Sequence, residues 1–166
     1  MQKISVIFIT QAAVIAAMYV VLTFLANAMG LASGEIQIRL SEMLCILPAF
    51  TPAAIPGLFL GCLLSNLLTG CTVIDIIFGS LATLLAAVLS YQLRNHKYPL
   101  LVTFPPVVAN MIVVPFILKF SYGVPLPIPV MMATVGIGEV ISCVVLGSVL
   151  YFALDKRRSI FSHNFK

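Results

Sequence analysis

Eight consecutive positions, Glu35-Ile-Gln-Ile-Arg-Leu-Ser-Glu42, gather two carboxylates, a guanidinium and a primary amide in a 166-residue chain of which only 8% is charged. Asp75 and Glu139 add two more acids inside otherwise apolar runs, and Asn27, Asn66 and Asn110 add amides. Carboxylates accept paired N–H donors, whereas amides both donate and accept. Without a matching Arg or Lys cluster, this set disfavours an anionic ligand and suits a neutral or cationic heterocycle, with Tyr or Phe stacking on its flat face. A metal site is not expected, because the two histidines, His96 and His163, fall in polar segments far from the acids. No cofactor is expected either. The chain has no Walker loop, GxSxG or HExxH motif, so neither ATP hydrolysis nor enzyme chemistry is read from it. Cys45, Cys62, Cys71 and Cys143 form no CxxC pair and read as small buried residues, with Cys71 at a turn.

The elements that position these groups follow from composition. A hydrophobic share of 61% and a mean hydropathy of +1.16 indicate one all-α integral membrane domain occupying residues 1–166, with no soluble unit. Basic residues sit at loops and ends without aromatic interleaving, which fits a membrane protein and not nucleic-acid binding. Six spans are expected, over residues 4–29, 40–52, 55–68, 74–93, 98–119 and 130–154. Ala26-Asn27-Ala28 resembles a cleavage site, but the apolar stretch before it exceeds the ~7–15 residues of a signal peptide, so it reads as a mature helix. Pro48, Pro52, Pro56 and Gly57 divide the second apolar region into two short helices around a tight turn. Each falls short of the roughly 20 residues of a standard span, so tilt or local thinning of the bilayer is expected to compensate.

Six spans place both termini on one side. With that side cytoplasmic, Lys3, Arg94, Lys97, Lys156, Arg157, Arg158 and Lys166 lie inside, and only Arg39 and Lys119 lie outside. The expected location is therefore the cell membrane, as a multi-pass protein. Glu35, Glu42, Asp75 and Glu139 then cluster in the outer half. An ionisable group in the membrane is costly and faces a partner or a wet cavity. Glu139, about nine residues into the last span, would lie roughly 14 Å below its outer end. It reads either as a protonated carboxyl bonded between helices or as the floor of a ligand pocket; Asn27, Asn66 and Asn110 read either as interhelical glue or as ligand contacts. Together with Glu42 and Asp75 they outline a net-acidic pocket open to the outside, with the 35–42 segment as one wall.

In the first span, Ala12 lies over Ala16 and Ala13 over Ala17, a small-residue stripe that admits close helix approach. The stripe serves either packing within the chain or docking to a partner. A transporter needs energy and this sequence carries no nucleotide site, which favours the partner.

That stripe resembles the docking motif of substrate-binding S components of energy-coupling factor (ECF) vitamin transporters. Gln37-Ile-Arg-Leu-Ser-Glu42, Leu47-Pro-Ala-Phe-Thr-Pro-Ala-Ala-Ile-Pro-Gly57 and Asp75-Ile-Ile-Phe-Gly-Ser-Leu-Ala-Thr-Leu-Leu85 resemble the QueT family, S components assigned to queuosine precursors. The resemblance covers nearly the whole chain. It departs from the general docking motif in having Lys3 as the only basic residue ahead of the alanines. It implies six helices with both termini cytoplasmic, a 7-deazaguanine ligand, a transmembrane coupling subunit and two partner ATPases. It also implies that Glu139 or Glu42 takes the guanine-like N–H edge and that Asp75 or Glu35 takes a cationic aminomethyl arm. Arg39 or Gln37 would hold the ring carbonyl, or Arg39 would instead neutralise Glu42. Alternatives are an S component for another small vitamin and a non-transporting scaffold or intramembrane enzyme using Glu139 and Asp75 as an acid/base pair; convergence of the carboxyls on one cavity favours binding.

Overall fold

Leu40–Ala49, wound as a 3₁₀ helix, is the central element of an all-helical fold. Leu44, Ile46 and Glu42 within it are at most 1% exposed. The computed structural model describes residues 6–31 and 36–157; Glu35 and the terminal charges Lys3, Arg158 and Lys166 lie outside the described residues. Around the central element run α1 (Val6–Ala28), α2 (Ala54–Leu68), α3 (Val73–Leu93), α4 (Phe104–Phe120), α5 (Ile128–Glu139) and α6 (Gly147–Asp155). A short 3₁₀ turn, Pro99–Thr103, leads into α4, and a π-helical stretch, Val140–Leu146, joins α5 to α6.

Among the described residues, four helical stretches are long and apolar enough to cross a membrane: Val6–Ala28, Val73–Leu93, Leu100–Phe120 and Ile128–Asp155. The 23 residues of α1 rise about 34 Å, enough for a hydrocarbon core of roughly 30 Å. Large apolar side chains on their outer faces, among them Val14 and Val21 of α1, Leu81 and Leu85 of α3 and Ile112 of α4, are exposed as lipid-facing residues are.

The expected second span differs from an α-helix over residues 40–52. Pro48 removes the donor that Leu44's carbonyl would use in α winding, and the chain adopts the tighter 3₁₀ form. At about 2.0 Å per residue, its ten residues rise roughly 20 Å, against about 15 Å for an α-helix of that length. The winding therefore lengthens the short element. The expected final span, 130–154, runs from Ile128 to Asp155 and carries the π stretch directly after Glu139.

Two ends of the bundle can be distinguished by their contacts. At one, Thr51 donates to the Gln11 amide oxygen at 2.9 Å, and Phe50 packs on Tyr151 with ring centroids 5.1 Å apart. At the other, α1 and α2 end in the same motif. Gly30 and Gly70 take the left-handed conformation, with φ of 70° and 73°. Leu31 N–H then bonds Ala26 O, and Cys71 N–H bonds Asn66 O, closing each helix. This second end holds the candidate site.

α1 and α2 approach closely because glycine lies at their crossing. A Cβ on Gly57 would sit 2.9 Å from both Ala12 O and Ile15 Cβ, and one on Gly61 would sit 2.6 Å from Tyr19 Cβ. Ala12 and Ala16 are accordingly buried against α2, while Ala13 and Ala17 are exposed.

Candidate functional site

A cavity of about 400 Å³ opens between α1, the 37–41 segment, α2 and the start of α3. Its volume falls within the ~300–1,000 Å³ of small-molecule sites. Tyr19, Asn27, Gln37, Arg39, Asn66 and Asp75 contribute to its lining. Among the described residues the lining carries one cation, Arg39, and one anion, Asp75.

Arg39 reaches the wall because residues 37–39 run extended before the central helix starts, with Arg39 at φ −98° and ψ 98°. Gly138 of α5 lets this segment approach: a Cβ there would collide with the Gln37 backbone carbonyl. The Arg39 guanidinium is half-buried and has no hydrogen-bonding or ionic partner among the described residues. Burial works against its charge, but the surrounding Tyr19, Asp75, Glu42 and Glu139 outweigh that loss and hold its pKa above the ordinary arginine value. The Gln37 side chain likewise has no hydrogen-bond partner among the described residues. Both groups line an open cavity with many polar side chains, where their donors are available to a ligand.

Asp75 reaches the wall from the first turn of α3, where the Thr72 side chain caps the helix by accepting from Asp75 N–H at 3.4 Å. A carboxylate in the first turn is also favoured by the helix dipole. Across the mouth, Tyr122 O–H donates to Asp75 Oδ2 at 2.9 Å, and Thr72 N–H donates to the Tyr122 oxygen at 3.2 Å. Ser121 and Thr72 hydroxyls bond at 2.5 Å, tying the turn after α4 to the start of α3. Lys119 donates to Val124 O at 3.4 Å and Leu126 O at 3.3 Å, fastening the rest of that turn. Burial, the Cys71 side chain and the Asp75 carboxylate push the Tyr122 hydroxyl up to about 12. It remains a neutral donor at ordinary pH.

Behind the Tyr19 wall lies a second polar network. Tyr19 O–H donates to Glu42 Oε1, and Cys45 Sγ–H donates to Glu42 Oε2 at 3.0 Å. Asn110 Nδ2–H donates to Glu139 Oε1 at 3.0 Å, and Cys143 Sγ–H donates to Glu139 Oε2 at 3.3 Å. Glu42 and Glu139 are 1% and 5% exposed. Glu42, Glu139 and Cys143 could offer a metal one atom each, all within 4.8 Å of one another, although each already has a protein partner.

The expected constellation therefore divides into two. Asn27, Gln37, Arg39, Asn66 and Asp75 meet at the cavity, whereas Glu42, Asn110 and Glu139 form the sealed network behind it. Asp75 and Glu139 lie in separate hydrogen-bond networks, not as an acid/base pair. Glu42 takes Tyr19 and Cys45 as its donors, rather than the Arg39 expected three residues away. Glu35 lies outside the described residues. Tyr19 and Tyr122 were missed from sequence. The available signal was that a tyrosine hydroxyl in apolar surroundings needs a partner.

A second opening, about 390 Å³ and almost wholly apolar, lies between α1 and α6, lined by residues including Ile7, Val14, Met18, Leu150 and Leu154. The exposed Ala13 and Ala17 are on the same helix.

A family model described as QueT transporter matches residues 9–156. The chain is 38% identical over 84 residues to a protein named Queuosine precursor transporter QueT from Lactococcus lactis subsp. cremoris (strain MG1363). The alignment covers 51% of this chain and 49% of that protein, so the chain spans about half the length of the curated relative it matches. No solved structure matches.

Proposed function

The chain belongs to the QueT transporter family, a multi-pass protein of the cell membrane, and from that premise we propose that it is the substrate-binding subunit of an importer for a queuosine precursor, a 7-deazaguanine base. The observation that carries this reading is the cavity in which Arg39 and the amide of Gln37 have no partners among the described residues while Asp75 lines the same space. A 7-deazaguanine fills each need: its ring carbonyl accepts from Arg39, its ring and exocyclic N–H groups donate to amide oxygens, and its plane lies against Tyr19. The buried Glu42 and Glu139 fix the wall behind Tyr19.

Charge distribution supports an outward orientation of the cavity, since Arg94, Lys97, Lys156 and Arg157 belong to the opposite end. On this reading the two shorter helices also cross, which makes six spans with both termini cytoplasmic. Release inside is driven by a transmembrane coupling subunit and two ATPases, so this subunit hydrolyses nothing. Ala13 and Ala17, exposed beside the apolar groove, are the part of the alanine stripe left for that coupling subunit, because Ala12 and Ala16 pack against α2. Liposomes test the proposal: uptake of labelled base requires the coupling subunit, both ATPases and ATP. Concentrative uptake by this chain alone, without ATP, would refute it.

A further inference from the structure

The apolar groove between α1 and α6 has Leu44 and Leu47 of the central element as its floor and Leu150 and Leu154 as its far wall. Along α1 it runs from Val6 to Met18, about 18 Å, close to the depth of one leaflet of a hydrocarbon core roughly 30 Å thick. Spread over that length, its volume of about 390 Å³ gives a cross-section of roughly 20 Å². That is the width of one extended hydrocarbon chain, whereas a helix about 10–12 Å across does not enter. Left empty inside the bilayer, the groove would deny its lining the dispersion contacts that a close-fitting chain restores.

Its polar features sit towards one end. Thr10 spends its hydroxyl on Val6 O at 2.9 Å, and Gln11 accepts from Thr51 through its amide oxygen. The amide N–H groups of Gln11, about 7.5 Å from the start of α1, have no acceptor among the described residues. Just beyond the groove, Arg157 N–H bonds Leu154 O at 2.8 Å and carries the winding of α6 past its end. Arg157 therefore follows Leu150 and Leu154 on one helical face, over the mouth of the groove. Arg157 and Lys156 are exposed and form no ion pair among the described residues. The same end carries Arg94 and Lys97, against Asp155 as its acid.

We propose that this groove binds one anionic phospholipid of the surrounding bilayer. One acyl chain lies along α1, an ester carbonyl accepts from Gln11, and the phosphate rests against Arg157 and Lys156. Basic side chains at a membrane surface attract anionic headgroups, and the apolar walls fix where the chain lies. The proposal goes beyond base capture and stands whether or not the cavity takes a base. Ala13 and Ala17 are not part of the lining, so the lipid leaves the exposed alanines uncovered.

Native mass spectrometry tests the proposal on the full chain, released from nanodiscs of equal phosphatidylglycerol and phosphatidylcholine with matched acyl chains. The wild type is expected to retain one lipid per chain and to favour phosphatidylglycerol by roughly five- to thirtyfold, the effect of one or two basic side chains near an anionic headgroup. Lys156→Gln combined with Arg157→Gln is expected to keep one lipid and lose the preference. Val14→Trp fills the groove from an exposed position on its wall. It is expected to retain less of either lipid, with a melting temperature within about 2 °C of wild type. Equal retention of the two lipids by the wild type, or retention of neither, overturns the proposal. A preference that survives loss of both basic side chains overturns the headgroup assignment, and undiminished retention in Val14→Trp overturns the placement in the groove. A lipid-free mass of two chains assigns the groove to a second copy and overturns the proposal as well.

Discussion

Replacing Arg39 by Met separates a binding role from a structural one. The guanidinium lines the cavity, is half-buried and has no protein partner among the described residues, so its removal breaks no hydrogen bond within them. Methionine retains most of the apolar stem. The melting temperature of the ligand-free protein is therefore expected to stay within about 2 °C of wild type, since no buried partner is orphaned. Binding should respond very differently. A hydrogen bond from a charged donor contributes about 1.5–3 kcal/mol, which corresponds to a roughly 10- to 150-fold weaker Kd for 7-deazaguanine. Arg39→Lys keeps the charge but loses the planar fork, and is expected to fall between the two. Calorimetric titration paired with thermal unfolding in the same detergent reads both quantities. Unchanged affinity in Arg39→Met would refute the reasoning, as would a lost affinity accompanied by a large drop in melting temperature.

Other perturbations probe the surroundings. Tyr19→Phe leaves one Glu42 oxygen without its donor in a site 1% exposed; at about 1–3 kcal/mol and roughly 2–4 °C per kcal/mol for a chain of this length, thermal unfolding should show a clear loss. Gly61→Ala forces a Cβ to within 2.6 Å of Tyr19 Cβ and 3.2 Å of Ala16 Cα, and overpacking of about 1–3 kcal/mol should lower the melting temperature comparably. Ala17→Leu lies on the exposed face of α1; ligand affinity should hold within about twofold, while co-purification with the coupling subunit should fail. Because the Tyr122 hydroxyl is pushed up to about 12, its latch on Asp75 is fully present below its unfolded value of about 10 and is lost only as pH rises towards 12. The stability difference between wild type and Tyr122→Phe should therefore be flat from pH 6 to 9; a slope in that window would contradict the assignment.

Hydropathy placed the long apolar helices to within a few residues, because burial in lipid demands continuous apolar sequence and satisfied backbone, and both are one-dimensional requirements. Pro52 likewise marked the break between the two short helices, whereas Pro48 lies inside the first and Pro56 in the first turn of the second. The 3₁₀ winding of Leu40–Ala49 and the π stretch after Glu139 were not legible, since both depend on neighbours packed around them. Site residues followed the same division. Asp75 and Arg39, which line the cavity, stood out in the sequence because a charge in an apolar chain needs a reason. Glu42 was expected at the wall of the pocket and Glu139 at its floor, and both belong to the network behind Tyr19, because sequence reports a residue's depth along a helix more readily than the direction it faces. Ala12 and Ala16 show the same effect: spacing identified the stripe, and only Gly57 and Gly61 on the facing helix reveal which half of it is occupied within the chain.

The central claim is that this chain alone captures the base. Equilibrium dialysis of labelled 7-deazaguanine against the purified chain, without ATP or any partner subunit, measures that directly. The account predicts saturable binding of one base per chain, displaced by unlabelled base and strongly weakened in Arg39→Met. A folded chain that binds no base, or that binds it only when the ATPases are present, would contradict it.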